Sequence, residues 1–141
     1  MNWYLTVLRN YAVFSGRARR KEYWMFALFN IIFLIVAAII DNILGTKFEM
    51  NGITLPYGYV YTLYTLAILV PGLAVMVRRL HDVGRSGWFF FIAFIPLAGP
   101  IWLLVVLCTD SDRGVNNYGP NPKEGSQQVG TSGALDSDIK I

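Results

Sequence analysis

A chain of 141 residues that is 55% hydrophobic and 15% charged, with a mean hydropathy of +0.45, has too little polar surface for a soluble domain and reads as one small integral membrane unit. The net charge of +3 and pI near 9.1 raise nucleic acid as a partner, but the charges sit in short clusters beside apolar runs, which points to anionic lipid headgroups instead. A single cysteine, Cys108, excludes an intrachain disulfide and a cysteine metal cluster.

Residues 1–14 place Trp3, Val7, Leu8, Tyr11 and Phe14 at helical spacing, with Asn2, Thr6, Arg9 and Asn10 largely on other faces. The pattern predicts a short helix in the membrane interface, the bland alternative being a frayed terminus. Ser15 and Gly16 break it. Residues 23–40 are an apolar run interrupted only by Asn30 and preceded by Arg17, Arg19, Arg20 and Lys21. At about 1.5 Å per residue the run covers roughly 27 Å, close to the roughly 30 Å hydrocarbon core of a bilayer. A cleaved signal peptide is its rival. The apolar core is longer than an ordinary h-region and no small-x-small site follows Ile40, so the span is expected to be retained.

Residues 41–56, with Asp41, Asn42, Gly45, Asn51, Gly52 and Pro56, read as a loop whose only basic residue is Lys47. A second apolar segment covers residues 57–77 and is closed by Arg78 and Arg79. Tyr57, Tyr61 and Tyr64 share a helical face there as an aromatic belt, and Pro71 predicts a kink. Residues 87–108 form a third segment, broken by Pro96 and Pro100. It is either one kinked span, which the short arms favour, or a re-entrant hairpin sheltered by the other helices. Five basic residues, Arg9, Arg17, Arg19, Arg20 and Lys21, precede the first span, and Arg78, Arg79 and Arg85 follow the second, with Lys47 alone between them. The positive-inside rule then places the N-terminus in the cytoplasm. From Gly125 onward the Gly-, Ser- and Gln-rich sequence is expected to be disordered, giving a membrane domain over 1–123 and a tail over 124–141. The fold class is therefore all-α integral membrane protein with three hydrophobic segments.

Three polar signatures flank the spans: FSGRARRKEYW at 14–24, RRLHDVGRSGW at 78–88 and NNYGPNP at 116–122. In the first two, arginines stand beside Ser and Gly and lead to Trp24 or Trp88 as an interfacial anchor. Ser86 can cap the third helix and Gly84 can end the second. Arginines snorkelling to phosphate account for this pattern. The sharper reading makes Arg17, Arg19, Arg20, Arg78, Arg79 and Arg85 anion or lipid-headgroup contacts, because Arg binds phosphate bidentately. Glu22, His81, Asp82, Asn117 and Tyr118 are the accompanying polar candidates. His81 beside Asp82 invites a catalytic interpretation, but adjacent helical residues do not face one another, and Arg78 with Asp82, four apart, is the better-placed pair. Asn30 is expected to make an interhelical hydrogen bond. No companion nucleophile, metal-ligand spacing, Walker loop or basic aromatic surface appears, so an enzyme is the weakest class and no cofactor, metal or nucleic acid is expected. Asn116, Asn117 and Tyr118 would fold back onto the arginine motifs if the third segment returns to its starting face.

Together and in this order, the three signatures closely resemble the DUF805 family of small bacterial inner-membrane proteins, over about residues 1–123. The chain departs from the family pattern at Asn117, where Arg is usual, and in its long tail. That family is defined by sequence and carries no established activity, so the resemblance implies the bacterial inner membrane and no reaction. The functional expectation is a non-enzymatic membrane component that meets anionic lipid or a partner protein through a basic cytoplasmic-side surface. The alternative is a small transporter or channel-like homo-oligomer.

Overall fold

The computed structural model describes residues 2–124, and the tail expected at 124–141 lies, past Glu124, outside the described residues. The fold is mostly helical: α1 (Asn2–Arg9), α2 (Arg20–Leu44), β1 (Lys47–Met50), β2 (Ile53–Gly58), α3 (Tyr59–Asp82), a 3₁₀ helix (Gly87–Phe94) and α4 (Ala98–Cys108). These divide into two compact units, Met1–Val13 with Trp24–Ala74 and Phe14–Tyr23 with Val75–Ile141. Helices α2 and α3 contribute residues to both.

At 25 and 24 residues, with mean hydropathies of 2.5 and 2.0, α2 and α3 are each long and apolar enough to cross a bilayer. Both exceed their apolar runs. Helix α2 begins at Arg20, and α3 continues past residue 77 through Arg78, Arg79 and His81 to Asp82. Each closes on a left-handed glycine, Gly45 (φ 67°) and Gly84 (φ 69°). The next N–H, of Thr46 or Arg85, then reaches back five residues to the carbonyl of Asp41 or Leu80, at 3.0 and 2.9 Å. Leu28, Ile31, Ile35, Ile39, Leu63 and Leu66 face outward while Asn30 and Asp41 are buried. This inversion of the aqueous pattern suits a hydrocarbon surround.

In the first unit the expected loop at 41–56 contains an antiparallel hairpin, β1 with β2, which adds strand to a fold anticipated as all-α. Its turn is Asn51-Gly52, both at positive φ (54° and 76°), the pair a two-residue type I′ hairpin demands. Asp41, in the last turn of α2, caps α3. Its carboxylate accepts the N–H groups of Gly58, Val60 and Tyr61 at 3.1, 3.0 and 2.9 Å and the Thr46 hydroxyl at 2.6 Å. A carboxylate at a helix N-terminus also meets the positive end of the dipole. Gly58 has no substitute here, since a Cβ would stand 2.1 Å from the Thr46 carbonyl oxygen. Tyr57 lies in β2, off the helical face of Tyr61 and Tyr64, with its ring 5.7 Å from that of Tyr61.

Helix α1 is shorter than the 1–14 pattern, and it packs instead of fraying. The Tyr4 ring sits 5.4 to 5.7 Å from those of Phe26, Phe29 and Phe33, and Val7 is fully buried. Asn30 makes the interhelical bond expected of it: Oδ1 accepts the Tyr64 hydroxyl at 2.6 Å, and Nδ2 donates to the Phe26 carbonyl at 3.0 Å. Pro71 lies inside α3 and has no N–H for the carbonyl of Ala67 four residues earlier. The Tyr11 hydroxyl donates to that carbonyl at 2.6 Å.

In the second unit, residues 87–108 do not form one kinked helix. Ser86 caps the 3₁₀ helix, its Oγ accepting the Trp88 N–H at 3.3 Å. The chain then reverses at residues 95–97, with Leu97 at φ 66°, and α4 returns along the 3₁₀ helix. Pro100 falls in the first turn of α4, where its missing N–H breaks no intrahelical bond. A Cβ on Gly99 would lie 1.8 Å from the Ile92 carbonyl oxygen, so glycine permits the close approach. Leu80, Leu103, Val106 and Leu107 form the core, with Tyr23, Phe89 and Phe90 packed on it.

Two measurements check this account by equilibrium unfolding in mixed micelles. Tyr11→Phe is expected to destabilise by about 1–2 kcal/mol, and by clearly less in a Pro71→Ala background that restores the helical donor. An equal cost in both backgrounds would show that the hydroxyl does not serve the Ala67 carbonyl. Asp41→Asn, which sets an amide N–H₂ among backbone donors, is expected to lower the unfolding midpoint well below that of Glu49→Gln.

Candidate functional site

The second and third polar signatures, and the first up to Tyr23, meet in the second unit. The first comes to the second through the Ala18 N–H, which donates to the Arg78 carbonyl at 3.0 Å, and through two buried ion pairs. Arg17 Nε meets Asp82 Oδ1 at 3.0 Å, and Arg78 Nη1 meets Glu22 Oε1 at 3.0 Å. The expected Arg78–Asp82 pair does not form. Arg79, three residues before Asp82 on α3, takes Oδ2 at 2.5 Å, and Ser111 Oγ donates to the same oxygen at 2.5 Å. Asp82 therefore serves a hydroxyl and two guanidiniums, the latter closed to solvent with it, and Arg78 turns to the carboxylate across from it on α2.

Arg17 uses its whole fork. Besides Asp82 Oδ1, Nη1 donates to the carbonyls of Gly114 and Gly119 at 2.9 and 3.2 Å, and Nη2 to those of Asp82 and Asp112 at 3.2 and 2.6 Å. Five donors meet five oxygens, a match a lysine cannot make. Arg79 donates through Nε to the Leu107 carbonyl at 3.2 Å and through Nη2 to that of Thr109. Arg20 Nη1 reaches the Cys108 carbonyl at 3.1 Å, and Arg19 Nη2 that of Pro122. The last carbonyls of α4 thus receive cationic donors at the negative end of its dipole.

The third signature folds back onto the second. Tyr118 stacks on His81 with ring centroids 3.8 Å apart and planes 3° from parallel. Asn116 Nδ2 donates to the His81 carbonyl at 2.9 Å, and His81 Nδ1 lies 3.3 Å from the Gly16 carbonyl oxygen. His81 is held by all three signatures and does not form a dyad with Asp82. Asn117 is exposed. Arg85 is exposed as well and lies over the Phe89 ring, 5.5 Å from its centroid. At the rim, a hydrogen bond from Lys123 holds the Asp110 carboxyl below its ordinary range. Sequence reasoning missed Ser111 and the carbonyl acceptors, for which no side-chain signal exists, and it paired Arg78 with Asp82 where the partner is Glu22.

Removing one partner of a buried pair strands the other charge. Asp82→Asn is therefore expected to cost about 3–5 kcal/mol of stability, and Arg17→Lys to recover little of what Arg17→Ala loses. Arg85→Gln, on the surface, should stay within about 0.5 kcal/mol of the parent. Equilibrium unfolding monitored by Trp fluorescence reads all four.

The family model described as protein of unknown function (DUF805) matches residues 11–120. Inner membrane protein YhaI of Escherichia coli (strain K12) is 49% identical over 126 residues, which covers 89% of this chain and 99% of that protein. Inner membrane protein YhaH of the same strain is 45% identical over 123 residues, covering 87% and 98%. No solved structure matches. The three signatures, the two apolar helices and these relatives together make the chain a membrane protein that belongs to the DUF805 family.

Proposed function

We propose that the chain is a non-enzymatic, multi-pass component of the bacterial inner membrane, with a cytoplasmic N-terminus, that holds anionic lipid against a basic surface. The observation that carries this reading is how the cations sort. Arg17 and Arg79 are engaged with protein oxygens inside the second unit, whereas Lys21, Arg85 and Arg113 are exposed. Trp88, three residues from Arg85, is exposed too, in keeping with an aromatic at headgroup level. Exposed cations of this kind attract anionic headgroups by about 1 kcal/mol each near a membrane surface.

In this proposal the third segment is a re-entrant hairpin. Eleven residues of α4 rise roughly 16 Å, about half the hydrocarbon core. Both ends of the segment lie at the arginine signatures, through the Ser86 cap and the carbonyls taken by Arg79. Residues 109–124 then share the cytoplasmic face with the N-terminus, and the membrane domain ends near Lys123. The transporter alternative draws no support from Asn30, whose carboxamide is committed to Tyr64 and Phe26.

A reporter fused after Lys123 is expected to be active in the cytoplasm, and periplasmic activity would rule out the hairpin. Native mass spectrometry from nanodiscs should show phosphatidylglycerol enriched over phosphatidylcholine on the wild-type protein. The enrichment should fall severalfold in Lys21→Gln/Arg85→Gln/Arg113→Gln. Equal uptake of the two lipids by the wild type would end the lipid-binding reading.

A further inference from the structure

Among the described residues, Arg78 is the buried guanidinium of the cluster that is left half used. Its side chain is 6% exposed, and Nη1 is bonded to Glu22. Nε and Nη2 are buried and have no hydrogen-bond partner among the described residues. These two atoms form one edge of the planar fork, the edge whose parallel N–H bonds match two oxygens of a single phosphate or carboxylate. Charge counting points the same way. Arg17, Arg78 and Arg79 have side chains at most 6% exposed, and the buried carboxylates that face them are two, Glu22 and Asp82. One positive charge in excess, in a place closed to water, is costly unless an anion joins it. The donors of Arg17 are all taken and those of Arg79 point to Asp82, Leu107 and Thr109. The excess therefore falls at the open edge of Arg78.

We propose that the Nε–Nη2 edge of Arg78 binds one phosphate oxyanion, carried by a lipid headgroup or free in solution. This deepens the lipid-binding reading by adding a single stoichiometric site to a diffuse basic surface. Because both atoms are closed to solvent, a neighbouring side chain must turn aside to admit the anion. The bound phosphate should accordingly exchange more slowly than lipid at the exposed cations.

The test uses the full chain. In nanodiscs of phosphatidylcholine with phosphatidylglycerol, native mass spectrometry should find one phosphatidylglycerol retained at an activation that strips the rest. Arg78→Lys, which keeps the charge and removes the fork, should hold it at least about tenfold more weakly. Lys21→Gln/Arg85→Gln/Arg113→Gln should lower the general enrichment and leave this one equivalent in place, so the two readings can fail separately. Delipidated protein in detergent is titrated in parallel with inorganic phosphate and with short-chain phosphatidylglycerol while the arginine Nε–H resonances are followed. A saturable shift of the Arg78 signal with phosphate assigns a free anion, and one with the lipid alone assigns a headgroup. If Arg78→Lys does not fold, the wild-type resonance still reads the contact. Retention by Arg78→Lys equal to wild type, or an Arg78 signal unmoved by both anions, overturns the proposal.

Discussion

The pairing of one buried carboxylate, Asp82, with two guanidiniums holds the second unit together. Helix α3 brings Arg79 to it from one turn away, and the segment before α2 brings Arg17. Neither contact stands alone, because Asp82 satisfies charges that would otherwise be stranded without water. The cost of breaking such a set exceeds the gain in forming it. That asymmetry makes the arrangement specific: any conformation that separates the first two signatures leaves at least one buried charge unpaired.

From Asp82 outward, the same arginines do a second job. Arg17, Arg19, Arg20 and Arg79 donate to backbone carbonyls spread from Leu107 to Pro122. A segment recognised through its carbonyls is held in shape with little apolar burial, and most of its side chains are left free to vary. The exceptions are the residues that reach back by side chain. Asn116 and Tyr118 seat on His81, and Ser111 on Asp82.

Much of this was legible in the residues. The apolar runs, the glycine end of α3, the Ser86 cap and the interhelical bond of Asn30 follow from period and local chemistry. The hairpin at Asn51-Gly52 was legible as well, since an Asn-Gly pair is the strongest short signal for a two-residue turn, but the loop composition around it masked the strands. Helix α3 outran its apolar run because its last turn, Arg78 to Asp82, is stabilised by partners on α2 and beyond α4. Hydropathy registers no such contact. For the site, proximity of the arginine signatures was readable and pairing was not. Arg78 with Asp82 satisfied the helical spacing, yet Glu22 lay 56 positions away in sequence and within reach in space. The path of residues 87–108 turned on whether short arms would rather be one helix or pack on each other, and the close approach at Gly99 decides that only in three dimensions.

The capping of α3 by Asp41 bears on how such a chain is made. While only α2 has emerged from the ribosome, its far end carries a carboxylate whose backbone donors have not been synthesised. When α3 follows, its first N–H groups are orphaned unless that carboxylate is already beside them. Each helix on its own thus carries a polar end without its partner, and the two satisfy each other only when they are side by side. The helical hairpin, and not the single helix, is the smallest unit in which the end of α2 and the start of α3 are both satisfied.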